Sequence, residues 1–263
     1  MENKNESSWR ELKTVTTATK IIQALAELDG AGVTELAAHL ELSKSSVHAH
    51  LVTLREADYL TKAGDEYQLS YQFLLLGEYV RNGSLLFQFG RAKINHLAQE
   101  TGHYAHLFTE ENGLGINIYE SRGDDASDYE YQSKKLQQRE PLHVTASGKA
   151  ILAHLPESRV REIVQRHGLP RMTENTITRE EELFEELETI RDQGFAINDE
   201  EEIAGFRAVA APVRVHGDQI LGSISISGPT AFFTEDKLRK ELSERIMTTA
   251  GMIEVRINMS DKV

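Results

Sequence analysis

Cysteine is absent from the 263 residues, which excludes disulfides, thiolate nucleophiles and cysteine metal ligands. No apolar run approaches the roughly 20 residues that cross a bilayer, and the opening Met-Glu-Asn-Lys-Asn-Glu-Ser-Ser has no apolar core of a secretory leader. A soluble, cytoplasmic protein is expected. A glycine-rich phosphate loop and internal repeats are also missing, so the common nucleotide-binding signature does not apply. Basic residues are scarce, 29 against 42 acidic ones, giving a formal net charge of −13. The length accommodates two domains with ordinary cores.

The most informative segment runs from Gly32 to Arg55. Val33, Leu36, Ala37 and Leu40 recur at the spacing of one buried helical face, and Val47, Leu51 and Leu54 do the same a few residues later. Between them Ser43 suits an N-cap, because its hydroxyl can accept a backbone N–H that the opening turn leaves unpaired. Two short helices joined by a tight turn predict a DNA-reading helix-turn-helix. With Val47 inward, Ser45, His48, Ala49 and Val52 face out, flanked by Lys44, Ser46, Thr53 and Arg55. Small and polar groups on such a face suit a major groove.

Tyr59–Lys62 and Glu66–Leu69 read as strands around the turn Ala63-Gly-Asp65, a wing that carries Lys62. Upstream, Thr19 to Leu28 places Ile21, Ile22, Leu25 and Leu28 on one stripe ended by Asp29-Gly30, closing a three-helix core. Residues 1–70 are thus expected to form a winged helix; the alternative is an amphipathic bundle that packs on protein. This segment carries seven basic and eleven acidic residues, a net of −4. Most acids lie outside the second helix, where Lys44, Arg55 and the histidines at 48 and 50 supply local positive character.

Residues 71–101 read as two apolar linker helices, Tyr71–Val80 and Ser84–Ala98, broken at Asn82-Gly83. An apolar helix needs a partner surface. The same helix of a second subunit provides one, and pairing would set two reading heads about one DNA turn apart; packing of Phe73, Leu74 and Leu76 within one subunit is the alternative. From 102 to 263 strands are predicted at 103–109, 115–121, 195–198, 208–215 and 221–227. Helices are predicted at 146–155, 157–167, 178–193 and 235–257, the second opening after Pro156 and the third stopped by Gly194. The fold class is α+β, a mixed or antiparallel sheet flanked by helices.

Three segments together carry a resemblance: Leu42-Ser-Lys-Ser-Ser-Val-His48 with Leu51 and Leu54; Pro141-Leu-His-Val-Thr-Ala-Ser-Gly-Lys-Ala-Ile-Leu-Ala153; and Gly194–Arg207 followed by Ala210-Ala-Pro-Val213 and Ser225-Ile-Ser-Gly-Pro229. From about Thr14 to the last helix the chain resembles the IclR-type transcription regulators. That resemblance implies an N-terminal winged helix-turn-helix, a helical linker, and a C-terminal GAF-like domain that binds a small effector and shifts operator affinity. Carried over by position, it nominates Ala146, Ser147, Asn198, Asp199, Ala208, Ser225 and Ser227 as effector-binding, and Lys44, Ser45, Ser46, His48, Ala49, Thr53, Arg55 and Lys62 as DNA-binding. The acidic, cysteine-free composition also suits a salty cytoplasm, as in a halophilic archaeon, where counterion release adds little to affinity.

The residues themselves agree with a pocket. Thr145-Ala-Ser-Gly148 precedes an apolar helix whose opening amides can hold a carboxylate, and Ser225 and Ser227 fall on one strand face. Family members that bind short oxo-acids have glycine, aspartate and cysteine where Ala146, Asn198 and Ala208 stand, and Ala49 replaces a common basic residue. Asn198 could donate where a carboxylate only accepts, favouring an organic acid or sugar acid as effector. The same serines also fit as buried hydroxyls bonded to backbone.

Other candidates carry less. His103 and His106 fall on opposite strand faces, and His143, His154 and His167 lack ligand spacing, so no metal or other cofactor is expected. Asp199–Glu202 reads as a solvated turn capped by Asp199 rather than an acid–base pair, and Asp124–Asp128 as a polar loop. Two function classes follow: a ligand-responsive regulator of a catabolic operon, repressor or activator, binding double-stranded operator DNA as a homodimer or dimer of dimers; or an enzyme acting on a small acid with a targeting module. Ser147 has only His143 near it in sequence, so no nucleophile–base pair supports the second, and no catalytic residue is nominated.

Overall fold

In the computed structural model, which describes residues 11–126, 139–216 and 219–260, the chain divides into two compact units between Val80 and Arg81. In the first, α1 (Lys13–Glu27), α2 (Val33–His39) and α3 (Lys44–Glu56) enclose Ile21, Leu25, Leu36, Val47 and Leu51, with Leu60 and Tyr67 from the wing. The first helix begins six residues before the expected Thr19. Its opening turns are rich in threonine, and Thr19 Oγ1 donates to the carbonyls of Val15 (3.2 Å) and Thr16 (2.9 Å), so the hydroxyl is satisfied within the helix.

The wing is an antiparallel hairpin of β2 (Leu60–Ala63) and β3 (Glu66–Leu69), in which Ala63 pairs with Glu66 across Gly64-Asp65. A third strand, β1 (Ala31–Gly32), pairs with β3. Two residues are too few to show alternation, so this strand has no sequence signal. The linker is α4 (Gln72–Gly83) followed by α5 (Leu85–Thr101), with the break at Ser84 and Gly102 closing α5 in the left-handed region at φ 76°.

The second unit is built on a six-stranded sheet of order β6-β5-β4-β9-β8-β7. The strands are β4 (Tyr104–Glu111), β5 (Leu114–Arg122), β6 (Arg139–Pro141), β7 (Ala196–Asp199), β8 (Phe206–Val215) and β9 (Gln219–Pro229). Among the described residues every pairing is antiparallel, so of the two expected forms the sheet takes the antiparallel one. β6 went unpredicted, being short and proline-ended. One sheet face packs Ala105, Leu107, Val209, Ala211, Ile224 and Ile226 against Ile94 of α5 and Ile246 and Ile253 of α9 (Ser243–Asn258). The other face carries α6 (Ala146–Leu152), backed by α7 (Glu157–His167) and α8 (Glu180–Gln193).

Two helix boundaries differ from expectation. α6 stops at Leu152 instead of running to Leu155. The terminal helix opens as a π-helical turn at Lys237–Leu242 before α9, not as one continuous helix from Glu235. Of the expected polar loop 124–128, the last two positions lie outside the described residues; Asp125 N–H donates to the Gly102 carbonyl at 2.9 Å.

Candidate nucleic-acid interface and effector site

α3 is fixed by its cap. Ser43 Oγ accepts the Ser46 N–H at 3.2 Å and lies 3.1 Å from Ser45 Oγ. Val47 and Leu51 are buried, while Lys44, Ser45, His48, Ala49 and Thr53 are exposed and Ser46, Val52 and Arg55 half-buried. Thr53 Oγ1 donates back to the Ala49 carbonyl at 2.8 Å. Arg55 pairs with Glu56 at 2.7 Å, which neutralises one of the helix's two cations locally. On the wing, Lys62 Nζ sits 5.2 Å from the centre of the Tyr67 ring. His50 is a correction to the sequence-based expectation: its Nδ1 bonds the Ser46 carbonyl at 2.8 Å and its Nε2 is buried, so it does not join the outer face.

In the effector domain the strand register assembles the nominated residues. Asn198 pairs with Ala208, Ala208 with Ser227, and Ser227 with Tyr104. One rung away, Ala196, Ala210, Ser225, His106 and Glu120 form a second row across five strands. Paired residues share a face, so both rows lie on the sheet face that carries α6. Ser223 Oγ donates to the Ser147 carbonyl at 2.9 Å, tying the start of α6 to the strip. Asn198, Ser225, Ser227, Ser147, Ala146 and Ala208 are all buried. Gly148 lets α6 come this close to the preceding turn, since a Cβ there would lie 2.1 Å from the Leu142 carbonyl oxygen.

The opening of α6 is partly self-satisfied: Thr145 Oγ1 accepts the Gly148 N–H at 2.9 Å, leaving the first two helical amides, of Ala146 and Ser147, ahead of the first intrahelical bond. Asn198 is engaged by its own turn, Oδ1 accepting the Glu201 N–H at 2.8 Å and Nδ2 lying 3.4 Å from Glu202 Oε2. Asp199 is not brought to the strip. It is exposed and paired with Arg207 at 2.6 Å.

The turn after β7 also departs from expectation. Glu201 is buried and its Oε1 lies 2.5 Å from Nζ of Lys149, which is itself 1% exposed. The cap comes from Asn198, not Asp199. Burial pushes the Glu201 carboxyl up, opposed by the Lys149 ammonium. A turn that looks solvated by composition is thus half interior.

Sequence reasoning missed His106, Asn117, Tyr104 and Ser223 as members of the strip. Parity would have found three of them, since 104 and 106 alternate with 105 and 107 as 223, 225 and 227 do with 224 and 226, but not Asn117, which a bulge in the β4–β5 pairing brings to this face. Burial pushes the His143 imidazole down, with Pro170's carbonyl at 3.1 Å opposing. No group of histidines and carboxylates arranged to hold a metal occurs among the described residues. A separate cleft of about 680 Å³, lined by Leu152, Pro156, Val160, Phe184, Leu187 and Ile220 among others, lies beside the α6–α7 junction and contains none of the nominated residues.

Both parts of the chain match known protein families. Residues 14–64 match the IclR helix-turn-helix domain and residues 83–255 the bacterial transcriptional regulator IclR C-terminal domain. The chain is 36% identical over 257 residues to the "Probable HTH-type transcriptional regulator ArcR" of Halobacterium salinarum, covering 97% of this chain and 98% of that one. It is 30% identical over 244 residues to the HTH-type transcriptional regulator KdgR of Escherichia coli, covering 92% and 91%. The crystal structure of Thermotoga maritima IclR, 27% identical, superposes with a TM-score of 0.77 over 94% of this chain and 100% of that one. With both halves matched in order, the chain belongs to the IclR family, and is a DNA-binding transcriptional regulator with a C-terminal effector domain, not an enzyme.

Proposed function

We propose that the protein controls a catabolic operon, reading a palindromic double-stranded operator in the cytoplasm as a homodimer and releasing or engaging it when an organic or sugar acid occupies the strip beneath α6. The observation that carries this is the pair of cross-sheet rows, which gather buried hydroxyls from Ser225 and Ser227 with Asn198 and Ala208 on one covered face. A buried polar strip with few large side chains leaves groups to hydrogen-bond a small polar ligand. Because it is covered, a ligand fits only an arrangement in which the cover has moved, and binding therefore reweights two states.

The linker supports dimerisation. α4 buries none of its residues, and Leu74, Leu75, Tyr79 and Val80 are 58%, 65%, 80% and 71% exposed; Phe73 meets Tyr59 with ring centres 5.4 Å apart. Such a stripe needs a partner surface. The DNA contacts assigned are Lys44, Ser45, Ser46, His48, Ala49, Thr53, Arg55 and Lys62. The effector contacts are Ala146, Ser147, Asn198, Ala208, Ser225 and Ser227; Asp199, exposed and paired with Arg207, is left out.

The test is fluorescence anisotropy with the gene's own upstream duplex, titrated with a panel of sugar acids and aromatic acids. Specific binding altered by at least one acid, with Ser225→Ala retaining the binding and blunting the response, is expected. Operator binding indifferent to every acid, or a Ser225→Ala response equal to wild type, contradicts the effector assignment.

A further inference from the structure

His106 lies in the middle of the strip with a partner at each ring nitrogen. In the orientation of the Asn117 amide that satisfies both its ends, the nitrogen donates to the carbonyls of Leu107 (3.0 Å) and Tyr119 (2.8 Å), and the oxygen faces His106 Nδ1 at 3.0 Å. An amide oxygen only accepts, so Nδ1 carries the hydrogen. In the neutral ring Nε2 is then an acceptor, and Ser227 Oγ stands 3.0 Å from it. The serine hydrogen therefore points at His106, and the serine presents lone pairs to the strip.

We propose that His106 is the specificity-determining residue of the effector site, setting whether Ser227 accepts from or donates to the ligand and so coupling binding of an anionic acid to uptake of one proton. This rests on the strip being the effector site. With His106 neutral, Ser227 accepts, which suits a ligand hydroxyl and repels a carboxylate oxygen. When a proton from solvent adds to Nε2, that nitrogen donates to Ser227, and the serine hydrogen turns to the carboxylate. No covalent bond in the ligand changes.

The surroundings allow the charged ring. Glu120 Oε2 lies 3.5 Å from Nδ1, and Tyr104 stacks on the imidazole with ring centres 6.4 Å apart, its own ring centre lying 6.0 Å from the Arg122 guanidinium. The residues facing His106 from β8 and β9 are uncharged: Ala208, Ala210, Ser225 and Ser227. From α6, the cation Lys149 is engaged by Glu201 and Glu186.

The test uses the full chain labelled with ¹⁵N-histidine. Imidazole spectra near pH 8 report the tautomer directly, and Asn117→Leu removes the group that sets it. D-Gluconate is then titrated near pH 6 and near pH 8, followed at the His106 resonance and by operator anisotropy. The inference expects hydrogen on Nδ1 in the wild type, a shift toward the other tautomer in Asn117→Leu, gluconate affinity about ten-fold higher at the lower pH, and loss of that pH dependence in Ser227→Ala. Hydrogen on Nε2 in the wild type overturns it, as does pH-independent affinity. Operator release by gluconate without any response of His106 overturns it while leaving an acid-responsive regulator. The expected tautomer with neither a gluconate shift nor operator release defeats the acid-effector assignment and the role of His106 with it.

Discussion

Lys149 and Glu201 form an ion pair at 2.5 Å between the covering helix and the turn after β7, both side chains almost wholly withdrawn from water. Glu186 adds a second carboxylate at 3.2 Å. Nearby, the Thr176 hydroxyl donates to the Glu201 carbonyl at 2.7 Å, so the turn is held at both backbone and side chain.

Removing one partner strands a buried charge. Lys149→Met is expected to cost about 3 to 5 kcal/mol, and Lys149→Met combined with Glu201→Leu distinctly less than the sum of the single changes, because the deeply buried carboxylate is gone and the remaining partner, Glu186, is partly exposed. Urea denaturation of the four proteins measures this. Additive single and double effects would show that the two side chains act independently.

Histidine burial gives the pH dependence a sign. His143 and His103 are both held below the ordinary value, chiefly by desolvation. The unfolded chain therefore binds more protons than the folded one on acidification. Stability from the neutral rings is present in full above the unfolded pKa of about 6.5 and is lost as pH falls through it toward the lowered folded values. Glu201, raised in the fold, acts with opposite sign: its contribution is present below the ordinary carboxylate value and lost as pH rises through the folded one. Melting temperatures should fall on acidification below about pH 7, and His143→Asn should flatten the fall. An identical profile in wild type and variant would remove His143 as a cause.

The acidic reader sets the salt response. Lys44 and Lys62 are the exposed cations of α3 and the wing, while Arg55 is paired with Glu56. In the proposed homodimer two protomers neutralise roughly four phosphates, so log K should fall with log salt at a slope of about −4. Operator titrations across a salt series measure it. A slope near −10 would require many more phosphate contacts than this surface carries.

Much of this was legible in the sequence where a local pattern repeats. The α3 face, the Ser43 cap, the wing hairpin and the Gly102 and Gly194 stops follow from periodicity and backbone chemistry within a few residues. β1 and β6 were not legible, because strands of two and three residues show no alternation and form only through their neighbours. The strip was half legible. Family position pointed to Ser225, Ser227 and Asn198, but His106 enters it through pairing with a strand more than a hundred residues away. Glu201 misled for the same reason, since its neighbours in sequence are acidic while its partner, Lys149, comes from a distant helix.

The most direct test of the regulatory account is operator anisotropy with His48→Ala, carried out beside a random duplex of equal length. His48 is exposed on α3, outside the core formed by Val47 and Leu51. The expected result is a loss of about 1 to 3 kcal/mol on the operator, little change on random DNA and an unchanged melting temperature. Equal weakening on both duplexes, or undiminished operator affinity, would contradict a recognition role for the outer face of α3.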